Sequence, residues 1–206
     1  LAVPAERVDH VVLVGRSVGV TTPALHALLE ENVSLTLLSG WGELRGRLLP
    51  PMNKNIPLRH RQYARAQDPN FCLAVSKAIV GGKLRNYRTL ARRMARERTA
   101  LDETYIAHIS ECICRSEKAT DLAVLRGLEG EGSKAYFAIL RQALQHDLGF
   151  ATRTRRPPKD PVNALLSFAY ALLAKECTVA LLGCGLDPYW GFYHQPRHGR
   201  PALSLD

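Results

Sequence analysis

Val8 to Val14 is a compact apolar run rich in β-branched residues and closed by Gly15, the pattern of a strand. Thr21-Thr22-Pro23 supplies an N-cap and an N1 proline and predicts a helix reaching about Glu31. Ser34 to Leu38 reads as a second strand, and Gly42 to Leu49 alternates like an exposed one. Two or three strands with one helix leave sheet edges unpaired, which predicts further strands ahead of Leu1. Pro50-Pro51 and Pro57 mark a change of regime, and residues 50–70 read as a linker. Helical periodicity then predicts helices over 70–97, 101–115, 119–127, 131–146 and 161–183. Asp160-Pro161 caps the last of these. Leu165, Leu166, Phe168, Leu172, Leu173 and Val179 make it apolar on nearly every side, which predicts a helix in the middle of a bundle. The fold class is α+β: a truncated N-terminal β-rich domain over residues 1–60, then an all-α domain over 61–206.

Composition changes this picture in two places. The 206 residues, 46% hydrophobic and 23% charged, suit one ordinary domain or two small ones. The apolar stretch from Val162 to Leu182 is interrupted by Asn163, Ser167, Lys175, Glu176 and Thr178, so it reads as a buried helix rather than a membrane span. No signal-peptide pattern is visible, and a start at Leu1 with an end at Asp206 reads as a piece of a longer chain. The net charge of +9 is unevenly placed: residues 41–100 hold 14 Lys/Arg against only Glu43, Asp68 and Glu97. Such concentration favours a polyanion, nucleic acid first and an anionic membrane second. Five scattered cysteines, with Cys112-Ile113-Cys114 lacking a second pair or nearby histidines at zinc spacing, read as buried, reduced thiols rather than a structural zinc site.

Within the basic stretch, Arg85, Arg88, Arg92 and Arg96 fall in an arc of about 80° on a helix. Leu84, Tyr87, Ala91 and Met94 take the other side. The arginines form a row about 16 Å long, and guanidinium forks match phosphate oxygens. A solvated helix face is the plainer alternative, weakened because only Glu97 lies near enough in sequence to pair with the row. Arg153, Arg155, Arg156 and Lys159 form a second, weaker cluster in a Pro-rich loop. Glu129, between Gly127 and Gly130, reads as the first-turn acid of a helix, a position usually taken by a dipole complement. His194 ends the aromatic run Tyr189, Trp190, Phe192, Tyr193, where a histidine is either a packed rim residue or a fixed metal ligand. Asp206 follows Gly199-Arg200-Pro201, where a new helix is expected to begin.

Taken together, Leu125-Arg126-Gly127-Leu128-Glu129-Gly130, the segment from Gly185 to His194, and Gly199 to Asp206 resemble the CRISPR-associated endonuclease-integrase one family. Arg155 to Ser167 and Thr21 to Leu25 extend the resemblance over nearly the whole chain. The resemblance implies that the all-α domain is catalytic, a metal-dependent DNA endonuclease and integrase. It would insert prespacer DNA into the CRISPR leader-repeat by attack of a 3′-hydroxyl. By motif it implies Glu129, His194 and Asp206 as catalytic ligands of Mg²⁺ or Mn²⁺, with Asn163 near the active site and counted with the arginines as a DNA contact. It also implies a prokaryotic cytoplasmic location and a homodimer joined through the β-domain. The other implied partners are CRISPR-associated protein two and, in some systems, an iron–sulfur trimming nuclease. The competing reading is a non-catalytic DNA-binding scaffold, in which only the arginine row matters.

Overall fold

The computed structural model describes residues 4–42, 44–50, 55–97 and 101–206. It divides into two compact units, Leu1–Lys54 and Asn55–Asp206. In the first, β1 (His10–Val14), α1 (Thr22–Glu30), β2 (Ser34–Leu38) and β3 (Leu44–Leu48) follow in order. The Thr21 hydroxyl accepts from Ala24 N at 3.4 Å and starts α1 one residue before Pro23. That helix carries the chain back so that β1 and β2 run parallel, while β3 returns antiparallel, giving the order β1-β2-β3. Central β2 holds the buried side of this unit, with Ser34, Leu35 and Thr36 buried and Val33 just before them. The His10 ring nitrogen hydrogen-bonds Ser34 Oγ across the parallel pair.

The second unit is helical: α2 (Ile56–Ala66), α3 (Pro69–Glu97), α4 (Thr104–Glu117), α5 (Leu122–Ala143), α6 (Pro161–Gly183) and α7 (Ala202–Leu205). Helices α3, α4 and α5 enclose a core centred on Leu84, Ile109, Leu125 and Ile139, each fully buried. The whole is an α+β chain, a small sheet followed by helices.

Three expectations are corrected here. Residues 56–66, read as linker, form α2: Asn55 Oδ1 caps Leu58 N at 3.2 Å, and Pro57 sits in the first turn, where its missing N–H costs nothing. The helices expected at 119–127 and 131–146 are one helix, α5, so Glu129 lies in mid-helix and not in a first turn. Each interior glycine weakens a helix by about 1 kcal/mol relative to alanine. At Gly132 packing outweighs that cost, since a Cβ there would lie 2.4 Å from Leu84 Cδ2 and 3.7 Å from Cys112 Cβ. The bare backbone lets α5 approach α3 and α4 closely.

Helix α6, expected to be buried, is instead open over much of its apolar surface. Among the described residues, Leu165 is 68% exposed and Phe168 63%, with Leu172 and Leu173 also open. By length and composition α6 would also suit a membrane span. Apolar composition on all sides sets how much surface a helix can bury, but not what covers it.

Candidate active site

Asp206 ends α7 with its side chain only 1% exposed. Its Oδ2 accepts from the backbone N–H groups of Phe192 (2.6 Å) and Tyr193 (3.0 Å). Its Oδ1 accepts from His194 N at 2.8 Å and meets His194 Nδ1 at 3.0 Å. With two lone pairs on each oxygen, all four acceptor positions are taken. Burial alone would raise this carboxyl, but the His194 ring and the three backbone donors outweigh it and hold it below the usual carboxylate range.

Gly191 makes this clamp possible. A Cβ at that position would stand 2.8 Å from Asp206 Oδ2 and 2.9 Å from the carbonyl carbon of Ala202, a clash with backbone that cannot yield. The aromatic loop is further fixed from both sides. Leu203 N donates to Pro188 O at 2.9 Å, and the Thr178 and Ser204 hydroxyls bond at 2.8 Å, tying α7 to α6. From α2, buried Gln62 donates to the carbonyls of Asp187 (2.8 Å) and Trp190 (2.9 Å) and accepts from Asp187 N at 2.8 Å. Tyr63 donates to Asp187 Oδ2 at 2.7 Å.

His194 is thereby oriented by the bond between its Nδ1 and Asp206, with its side chain 29% exposed. Among the described residues nothing hydrogen-bonds its Nε2, the nitrogen left to a ligand.

Glu129 approaches the same loop from α5. Tyr193 Oη donates to Glu129 Oε2 at 2.7 Å, while one turn earlier Arg126 donates to Tyr193 O at 3.0 Å. Tyr193 thus joins the two halves: its hydroxyl contacts Glu129 and its backbone N–H contacts Asp206. Lys83, from α3, hydrogen-bonds Glu129 Oε1. The Glu129 side chain is 22% exposed. Burial pushes its carboxyl up, yet the Lys83 ammonium, the Tyr193 hydroxyl and nearby His194 outweigh burial and hold it below its ordinary value. Burial, then the Glu129 carboxylate, push the Tyr193 hydroxyl well above its usual range, so it remains a donor at neutral pH.

The structure therefore joins His194 to Asp206 directly and Glu129 to both through Tyr193. The three ligand groups do not all lie within 4.8 Å of one another; among the described residues the only set that does is His108, Cys112 and Glu131. Sequence reasoning missed Lys83, Tyr193, Arg126 and Gln62 as parts of this site. Only the helical period of residues 56–66 could have pointed to Gln62.

The arginine row is less free than its spacing suggested. Arg85 meets Glu117 at 3.8 Å, an acid on α4 that neighbours in sequence do not reveal. Arg88 is half-buried, and its Nε is buried without a hydrogen-bond partner. Arg92 and Arg96 are exposed and line a groove with Glu103, Ile106 and Ser110 of the α4 side. Arg155 and Arg156 are exposed.

Asn163 does not fit its expected role as a DNA contact, for it is fully buried. Its Nδ2 donates to Thr152 O (2.8 Å) and Asp160 Oδ2 (2.6 Å). Its Oδ1 accepts from Arg153 and from Thr154 N, both at 2.9 Å. It fastens the 152–160 loop to α6, with no donor or acceptor left for a phosphate. Asn163→Ala should lower stability by about 3 kcal/mol, because it strands several buried partners at once. Chemical denaturation of the variant checks this.

A half-buried carboxylate, an imidazole with one nitrogen committed and one open, and a nearby basic helix form a donor set of the kind phosphoryl-transfer chemistry uses. The chain belongs to the family described as CRISPR associated protein Cas1, which it matches over residues 1–206. A CRISPR-associated exonuclease Cas4/endonuclease Cas1 fusion from Geobacter sulfurreducens is 43% identical over 90% of this chain and 35% of its own length. CRISPR-associated endonuclease Cas1 3 of Thermus thermophilus is 39% identical over 98% of this chain and 59% of its own. The chain thus spans at most about 60% of these curated relatives. Among solved structures, a Cas1 protein from Thermotoga maritima has the same fold, with TM-score 0.75 and 22% identity over 98% of this chain and 63% of its own. A Cas6-RT-Cas1–Cas2 complex aligns at TM-score 0.73 and 28% identity, over 96% of this chain and 22% of that one.

Proposed function

We propose that this chain carries the catalytic part of a CRISPR spacer integrase, which inserts prespacer DNA at the leader-repeat end of the array. The 3′-hydroxyl of the incoming strand attacks a phosphodiester, one P–O bond forming as another breaks. The observation that carries this reading is the meeting of Glu129 with the His194 loop through Tyr193, in a chain of the Cas1 family.

Glu129 and His194 Nε2 would hold Mg²⁺ or Mn²⁺, the imidazole leaning toward Mn²⁺. Bound there, the ion would polarise a non-bridging phosphate oxygen and stabilise the charge that develops on it. Asp206, expected as a third ligand, is better suited to holding His194, because its lone pairs are already engaged. Lys83 keeps Glu129 ionised and offers its ammonium to a phosphate oxygen once a metal shares the carboxylate. Arg88, Arg92 and Arg96 would supply phosphate contacts along the duplex, with Arg85, Arg155 and Arg156 as further cations for it.

Partners follow from the relatives. The Cas6-RT-Cas1–Cas2 complex supports a CRISPR-associated protein two partner, and the Cas4/Cas1 fusion supports a trimming nuclease. Homodimerisation through the small sheet would use the edges of β1 and β3. Relatives matched over only 59% and 62% of their length carry further residues that can cover the open face of α6, consistent with a cytoplasmic protein.

The test is strand transfer into supercoiled plasmid by the protein at its natural length, with and without Mn²⁺. Metal-dependent joining supports the reading. Salt-sensitive DNA binding without joining or any divalent requirement would instead establish the scaffold alternative.

A further inference from the structure

His108 and Cys112 lie four residues apart on α4, and so on one face of that helix. Glu131 projects toward them from α5. The distances among His108 Nε2, Cys112 Sγ and Glu131 Oε2 are 3.9 Å on every side. Tetrahedral zinc, with bonds of about 2.3 Å to sulfur and about 2.0–2.1 Å to nitrogen or oxygen, places its ligands roughly 3.3–3.6 Å apart. The triangle therefore needs to contract by only a few tenths of an ångström. The other nitrogen of His108, Nδ1, stands 4.0 Å from Glu111 Oε2, the kind of outer carboxylate that fixes a metal-bound imidazole. Gly132, next to Glu131, also faces Cys112, whose Cβ would lie 3.7 Å from a Cβ placed there.

We propose that His108, Cys112 and Glu131 form a second cation site, selective for a thiophilic divalent ion such as Zn²⁺, which pins α4 to α5. A thiolate donor suits zinc and not the hard cations expected at Glu129. The two sites are separate, because Glu129 and Glu131, two positions apart, point about 160° away from each other around α5. Solvent reaches the triangle past His108 and Glu131, both half-exposed, while Cys112 closes its inner side. Binding replaces the Cys112 thiol proton, which leaves to water, and the two negative ligands balance the ion's charge. Arg115, now 3.3 Å from Glu131 Oε2, gives up that contact; it already lies 3.8 Å from Glu111.

The probe is Co²⁺ added to metal-free protein at its natural length, in a background with the exposed thiols removed (Cys114→Ser, Cys184→Ser). The expected result is a saturable near-ultraviolet thiolate-to-cobalt band that Zn²⁺ abolishes by competition. Cys112→Ser should remove the band, and His108→Ala or Glu131→Gln should weaken Co²⁺ affinity at least roughly tenfold. Glu129→Gln should leave the band intact, which keeps this outcome distinct from the fate of the integrase reading. Cys112→Ser is nearly isosteric, and the surface variant Glu131→Gln covers the case in which it fails to fold. No thiolate band, or a band indifferent to both Cys112→Ser and Glu131→Gln, overturns the proposal.

Discussion

Glu129→Ala is expected to slow strand transfer by about three orders of magnitude while leaving DNA affinity within a few-fold of the parent. A metal that stabilises developing phosphate charge contributes several kcal/mol, and each ~1.4 kcal/mol is a tenfold change in rate. On the proposed reading DNA affinity is set instead by cations outside this residue, chiefly the α3 arginines. The substitution also leaves Lys83 and the Tyr193 hydroxyl without their carboxylate partner. Thermal denaturation of the same preparation should accompany the assay, so that lost folding is not mistaken for lost chemistry. Equal loss of binding and joining in a salt-controlled assay would contradict this division of labour.

The second large effect belongs to Asp206. Asp206→Ala removes the acceptor for the backbone N–H groups of Phe192, Tyr193 and His194 together with the partner of His194 Nδ1. A group that only orients a metal-binding histidine costs about 10–100-fold in activity or metal affinity when lost. Here it also supports a loop, so stability should fall by about 3 kcal/mol. Mn²⁺ affinity and urea denaturation measure the two parts. The parent protein should also show the matching pH dependence. Because Asp206 is held below its unfolded value, its contribution is fully present above about pH 4 and is lost as pH falls through the lower, folded value. Asp206→Asn should flatten that portion of the acid limb. An unchanged limb would mean that the carboxylate is not charged in the fold.

How far the sequence led depends on whether the deciding interaction was local. Thr21 and Pro23 set the start of α1, and β2 spans the expected Ser34–Leu38, because capping and short apolar runs act within a few residues. Asp160 caps α6 for the same reason, with Asn163 N donating to its Oδ1 at 2.8 Å. The misreadings share an opposite cause. Pro57 looked like a breaker, although at the start of a helix it is harmless. The glycines at 127, 130 and 132 looked like a break until Leu84, from a helix some fifty residues earlier, explained the closeness at Gly132.

The site follows the same division. Glu129, His194 and Asp206 stood out through motif resemblance, and the structure links them through Tyr193. Lys83, Arg126 and Gln62 were invisible because each joins the site through a partner between 46 and 128 positions away. Cys112 read as a thiol without zinc partners, because His108 stands one helical turn before it rather than at a zinc-motif spacing and Glu131 joins the pair only through the α4–α5 packing.

Manganese anomalous scattering from crystals of the protein at its natural length, grown with Mn²⁺, tests most directly whether one ion joins α5 to the aromatic loop. The expected result is a peak bonded to a Glu129 oxygen and to His194 Nε2, with Asp206 still on Nδ1. A peak that touches neither residue, or only one of them, would contradict the account.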